Sequence, residues 1–80
     1  MAEEHEVVVY STPTCPWCAR AKAYLSELGV PYEDKDVSRD VEAAREMVRL
    51  SGQTRVPVLV IDGNVVVGFD RRRIDELLKK

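Results

Sequence analysis

Apolar residues fall in short runs along this chain, and the period of the runs changes from segment to segment. Val7-Val8-Val9-Tyr10 is continuous and β-branched, which predicts a strand covered on both faces. Ser11-Thr12-Pro13-Thr14 breaks it. Residues 17–28 follow a helical period, with Ala21, Leu25 and Leu28 on one stripe and Tyr24 beside them. Pro16 suits the first helical turn, where its missing N–H costs little. Gly29 is a natural helix stop, and Pro31 excludes an early restart.

Residues 32–37 are rich in charge and read as a short edge strand whose charges guard the edge. Ser38 is expected to cap a second helix, with Val41, Ala44, Met47 or Val48, and Leu50 facing inward. Gly52 ends that helix. Val58-Leu59-Val60-Ile61 reads as a second buried strand, Asp62-Gly63-Asn64 as a hairpin turn, and Val65-Val66-Val67 as the return strand. Gly68 interrupts, and Asp70 can cap a last helix with Ile74, Leu77 and Leu78 on its inner face.

The element order is therefore β-α-β-α-β-β-α, an α/β chain expected to form one domain over residues 1–80. Two strands joined by a helix imply a parallel pair. The hairpin adds an antiparallel one, so the sheet is mixed, with helices on both faces to bury the valine runs.

Composition narrows the function classes. Apolar residues at 45% and charged residues at 32% suit a soluble globular chain. A net charge of −2 argues against nucleic-acid binding through the phosphate backbone. No apolar run reaches the roughly 20 residues that span a bilayer. Residues 1–6 are acidic and unlike a signal peptide. The expectation is a cytoplasmic protein without a membrane partner, acting as a monomer.

The chemistry is concentrated in Thr14-Cys15-Pro16-Trp17-Cys18, which holds the only two cysteines. Only the thiolate is a useful nucleophile, and a helix N-terminus favours it through unpaired N–H groups and the dipole. Cys15, preceding the helix, is expected to be exposed and to attack. Cys18, one turn in, is expected to be covered and to resolve. A stabilised thiolate is also a better leaving group, so a disulfide at Cys15 should be labile. Trp17 either packs or offers a partner-contact surface. A structural disulfide or half of a metal site are the plainer readings of the dithiol. Two ligands cannot complete tetrahedral zinc, and His5, on a terminus expected to be mobile, is read as a bystander. No metal is expected.

Tyr10-Ser11-Thr12-Pro13-Thr14-Cys15-Pro16-Trp17-Cys18, Thr54-Arg55-Val56-Pro57 and Gly68-Phe69-Asp70 together make the chain resemble a glutaredoxin, of the thioredoxin-fold superfamily. The resemblance covers nearly the whole length. It implies the thioredoxin fold, with sheet order 2-1-3-4 and the third strand antiparallel to the first. It implies that Pro57 is cis and faces Cys15. On the residues alone, Pro57 reads as a trans proline opening a strand. With a cis bond, the Val56 N–H and C=O would be offered to an extended substrate as a short added strand.

The resemblance also implies glutathione as co-substrate and no tightly bound cofactor. Two of the family's usual glutathione contacts are missing. Thr12 stands where a lysine is common, and Arg71 replaces the second aspartate of Gly-Gly-x-Asp-Asp. Arg55 and the amides near Asp70 and Arg71 could still hold carboxylates. Asp70 reads equally as a helix cap. Arg71-Arg72-Arg73 is a solvated face or a docking patch for acidic groups. Gly68-Phe69 resembles redoxins that take electrons from thioredoxin reductase, some of which supply ribonucleotide reductase.

The expected activity is thiol–disulfide exchange on protein or glutathione mixed disulfides, with glutathione or thioredoxin reductase as donor. An iron–sulfur carrier and a passive dithiol domain are the competing classes.

Overall fold

The computed structural model describes residues 5–78. The acidic opening, residues 1–4, lies outside the described residues. The elements are β1 (Val7–Ser11), α1 (Pro16–Glu27), β2 (Glu33–Asp36), α2 (Val41–Ser51), β3 (Val58–Ile61), β4 (Asn64–Val67) and α3 (Arg71–Leu78). The sheet order is β2-β1-β3-β4. β1 runs parallel to β2 and antiparallel to β3, and β3 is antiparallel to β4. This is the thioredoxin fold that the resemblance implies.

The period of two along a strand explains why the valine runs are continuous. Val7 and Val9 of β1, Leu59 and Ile61 of β3, and Val66 of β4 pack with Ala21, Leu25, Ile74 and Leu78 of α1 and α3. Tyr10 and Val58 face the other way, onto Ala43 and Met47 of α2, with Val8, Val60 and Val65 alongside. Every second residue is claimed by a different layer, so no position is left polar. Each fully buried aliphatic side chain contributes about 1.5–3 kcal/mol.

Local chemistry terminates the elements as expected. At the end of α1 the Val30 N–H donates to the Leu25 carbonyl and the Gly29 N–H to that of Ser26, both at 3.0 Å. This is a Schellman cap, and Gly29 takes its positive φ of 74°. Asp62 and Gly63, with φ of 51° and 85°, make a hairpin turn that needs left-handed backbone at both positions. β2 is one of the two edge strands and all four of its residues are charged.

Three expectations need correction. Ser38 does not cap α2. Its N–H and hydroxyl bind Asp36 Oδ1 in the preceding turn, and the cap is Asp40, whose Oδ1 accepts the Ala43 N–H at 3.1 Å. The inner face of α2 is Ala43 and Met47, whereas Val41, Val48 and Leu50 are exposed, Val41 at 64%. Two apolar stripes run along this helix, and the sheet selects one. His5, expected on a mobile terminus, is instead tied to the hairpin turn. Its Nδ1 lies 2.6 Å from Asp62 Oδ2, while the Glu6 N–H donates to Asp62 Oδ1 at 2.8 Å. That pair holds the start of β1 to the hairpin turn and keeps the Asp62 carboxyl below its ordinary range.

Candidate active site

Cys15 is the N-cap of α1, with extended backbone (φ −95°, ψ 112°), and Pro16 opens the helix behind it. Its sulfur plays the part that a serine oxygen plays in an ordinary cap: the Cys18 N–H donates to it at 3.2 Å. The Cys15 N–H is held by the Thr12 carbonyl at 3.4 Å. Both thiols are free, Cys15 half-buried and Cys18 fully buried. Cys15 is thus the more accessible of the two and Cys18 the covered one, with Cys15 less open than the fully exposed position expected of it.

Burial first, and the hydrogen bond with Cys15 second, push the Cys18 thiol up to about 11. Cys18 is therefore held as a neutral thiol behind the half-buried Cys15 sulfur. Lys22, one turn further along α1, acts weakly in the opposite sense. Its Nζ reaches Asp34 Oδ2 at 2.9 Å and Ser11 Oγ at 3.4 Å. The Ser11 hydroxyl, 2% exposed, donates to Asp34 Oδ1 at 2.6 Å. The ion pair with Asp34 raises the Lys22 ammonium further. This network was missed in the sequence. The spacing of Lys22 four residues after Cys18 was a readable signal, because i and i+4 share a helix face. Asp34 carried no signal, since only strand pairing brings it beside Ser11.

Opposite α1, the Cys15 sulfur lies 3.9 Å from the Val56 carbonyl oxygen. The Val56–Pro57 bond is cis, as the resemblance implies. Among the described residues no acceptor takes the Val56 N–H. Pro57 is buried and its carbonyl accepts the Gly68 N–H at 2.8 Å, which ties the end of β4 to the same corner. Trp17, Val56, Pro57, Gly68 and Phe69 line an open groove of about 280 Å³ next to the sulfur. Trp17 is 54% exposed, so it offers a contact surface and is not core packing. Its ring centre lies 6.4 Å from that of Phe69.

The remaining sequence candidates are placed less centrally. Thr14 is exposed beside the sulfur, and Thr12 contributes its carbonyl. Asp70 Oδ1 accepts the Arg73 N–H at 3.2 Å, so it serves as the cap of α3. Arg55 is exposed and does not line the sulfur-side groove. Arg71 turns away from that groove and lies over the Tyr24 ring, on the α1–α3 side. Among the described residues no group of three or more His, Cys, Asp or Glu side chains is placed to hold a metal. No helix among them is long and apolar enough to cross a membrane.

A dithiol at a helix start facing a cis proline is the arrangement that the resemblance implies. The glutaredoxin family model matches residues 7–66. An uncharacterized glutaredoxin-like 8.6 kDa protein in the rubredoxin operon of Clostridium pasteurianum is 46% identical over 74 residues, covering 92% of this chain and 99% of its own. Glutaredoxin 3 of Escherichia coli is 38% identical over 80 residues, covering 91% and 96%. The crystal structure of a glutaredoxin from Archaeoglobus fulgidus superimposes with a TM-score of 0.83 at 29% identity, over 94% of this chain and 87% of that one. The chain belongs to the glutaredoxin family.

Proposed function

We propose that this protein reduces disulfides of polypeptides and glutathione mixed disulfides through Cys15 and Cys18. Members of the family carry out thiol–disulfide exchange, and the pairing of a reachable capping sulfur with a buried second thiol supports the dithiol form of it. The Cys15 thiolate attacks one sulfur of the substrate, the S–S bond breaks, and the departing thiolate takes a proton from solvent. Cys18 then loses its proton and attacks the Cys15 sulfur, and the second substrate thiolate leaves. The protein has gained a Cys15–Cys18 disulfide and the substrate two thiols.

One observation carries this reading: the Cys15 sulfur takes the Cys18 N–H at 3.2 Å while standing 3.9 Å from the Val56 carbonyl. That N–H is a donor in place for the charge that passes through the sulfur as Cys15 attacks and departs. The neighbouring Val56 backbone offers an extended substrate its pairing groups. Trp17 and Phe69 form the rim against which that substrate packs. The reaction belongs in a reducing, cytoplasmic setting, and the domain acts as one unit over residues 1–80.

Glutathione is the reductant that the family membership favours. Thioredoxin reductase is the second reading, and two observations favour it. Thr12 supplies no cation, and Asp70 is already engaged as a helix cap. The expected result is that Cys18→Ser accumulates a mixed disulfide and Cys15→Ser loses reduction. Full activity in Cys15→Ser would overturn the mechanism. Turnover with glutathione and glutathione reductase, compared with thioredoxin reductase and NADPH, separates the donors.

A further inference from the structure

The arginines on the α1–α3 side are not called for by the fold. Arg71, Arg72 and Arg73 fill the first turn of α3, where the helix dipole presents its positive end. Arg20 projects from the second turn of α1. Two of these side chains are nevertheless held in place. The Arg20 guanidinium lies 4.9 Å from the centre of the Trp17 ring, and that of Arg71 lies 5.0 Å from the centre of Tyr24. A guanidinium held over a ring keeps most of its five N–H donors for a second partner, and Arg71 in addition lies beside the Tyr24 hydroxyl. Among the described residues, neither arginine has a carboxylate within ion-pair distance.

Both arginines line an open groove of about 600 Å³ between α1 and α3, together with Tyr24 and Phe69. Phe69 is also a wall of the groove beside Val56 and Pro57. One ring therefore separates the sulfur-side groove from the α1–α3 groove, and a chain crossing it passes from one to the other. The nearby carboxylates are mostly engaged. Asp70 caps α3, and Asp75 accepts the Tyr24 hydroxyl. Glu27 lies two turns from Arg20 along α1, about 10 Å away by helix rise, at the far end of the groove. Of the charged side chains that line the groove, two are arginines and one, Glu27, is acidic, so the lining is cationic on balance.

We propose that this groove receives an acidic segment of the polypeptide whose disulfide is reduced, its carboxylates pairing with Arg20 and Arg71. The inference rests on the thiol–disulfide reading above. A guanidinium edge takes a carboxylate through two parallel hydrogen bonds, so two carboxylates spaced along the segment match the two arginines. Charge complementarity of this kind raises the association rate and selects among partners more than it adds affinity.

The test uses the reduced full-length protein in single turnovers, which removes the need for a reductant. Its substrates are disulfide peptides of one length whose residues beside the cysteine are Asp and Glu, Gln, or Lys, with hydroxyethyl disulfide as the small substrate. The wild type should reduce the acidic peptide about fivefold or more faster than the Gln peptide at low salt, with the ratio shrinking at high salt. The double variant Arg20→Glu/Arg71→Glu should reverse the order in favour of the Lys peptide. Because each readout is a ratio within one protein, a general loss of activity does not imitate it. Equal rates for all peptides in the wild type, or an unchanged acidic preference in the double variant, overturn the docking proposal while the function stands. Failure to reduce hydroxyethyl disulfide and every peptide would sink both.

Discussion

The Cys18 N–H donates to the Cys15 sulfur at 3.2 Å, so the two cysteines are cap and first turn of one helix. The outer sulfur is half-buried while the inner thiol is fully buried and pushed up to about 11 by that burial and by its neighbour. At pH 7 only about one Cys18 in ten thousand is ionised at that value. Brief treatment of the reduced protein with iodoacetamide at pH 7 should therefore label Cys15 alone. Peptide mapping checks this, and labelling of Cys18 at a comparable rate would contradict the geometry.

The same buried thiol makes the reduced protein sensitive to alkali. Its folded-state value lies above that of an unfolded cysteine, about 8.5. The native state keeps the proton after the unfolded chain has lost it. Stability is therefore complete below about pH 8.5 and declines as the pH rises toward 11, by an amount of order 3 kcal/mol. Cys18→Ala should flatten the slope between pH 8.5 and 10 in denaturant titrations. Tyr10, raised to about 12 by burial and by Glu46, contributes only above pH 10.

Tyr10 joins β1 to α2 through its hydroxyl, which donates to Glu46 Oε1 at 2.9 Å, and Lys35 of β2 meets the same oxygen at 3.2 Å. Tyr10→Phe removes one donor and leaves the ion pair, at an expected cost of about 1 kcal/mol. Tyr10 is the foremost cause of the depressed Glu46 carboxyl. The Glu46 titration followed by NMR should accordingly move up in the variant. An unmoved Glu46 would show that Lys35 alone sets it.

Helix α2 offers a test of which apolar stripe faces the sheet. Met47 is 3% exposed and Val41 is 64% exposed. Met47→Ala should cost about 2–4 kcal/mol, and Val41→Lys should stay within about 0.5 kcal/mol. Thermal or urea unfolding of the two variants decides it. The opposite ranking would restore Val41 to the inner face, where the sequence reading put it with Ala44, Met47 or Val48, and Leu50.

Much of the molecule was legible in the chain because it depends on near neighbours. The valine runs, the Gly29 and Gly52 stops, the Asp62-Gly63 turn and the dithiol at a helix start are local chemistry. Spacing alone fixes their conformations, and connection length gives the parallel β1–β2 pair and the β3–β4 hairpin, whereas the antiparallel β1–β3 pairing came only from the family resemblance. The relative cover of Cys15 and Cys18 is equally local, since a capping residue and one a turn later stand on different sides of a helix.

Tertiary packing decided the rest. Ser38 and Asp40 are both good caps, and Asp36 captured Ser38 and left Asp40 to the helix. Ser11, Lys22 and Asp34 form one network only because β2 lies parallel to β1 in a register that sets Asp36 beside Ser11. Arg71 belongs to the α1–α3 groove because the Tyr24 ring, forty-seven residues earlier, lies beneath it. A hydrogen bond or a stacked cation acts over a few ångströms of space. Sequence patterns record which residues could supply one, and only the packed chain chooses the partner.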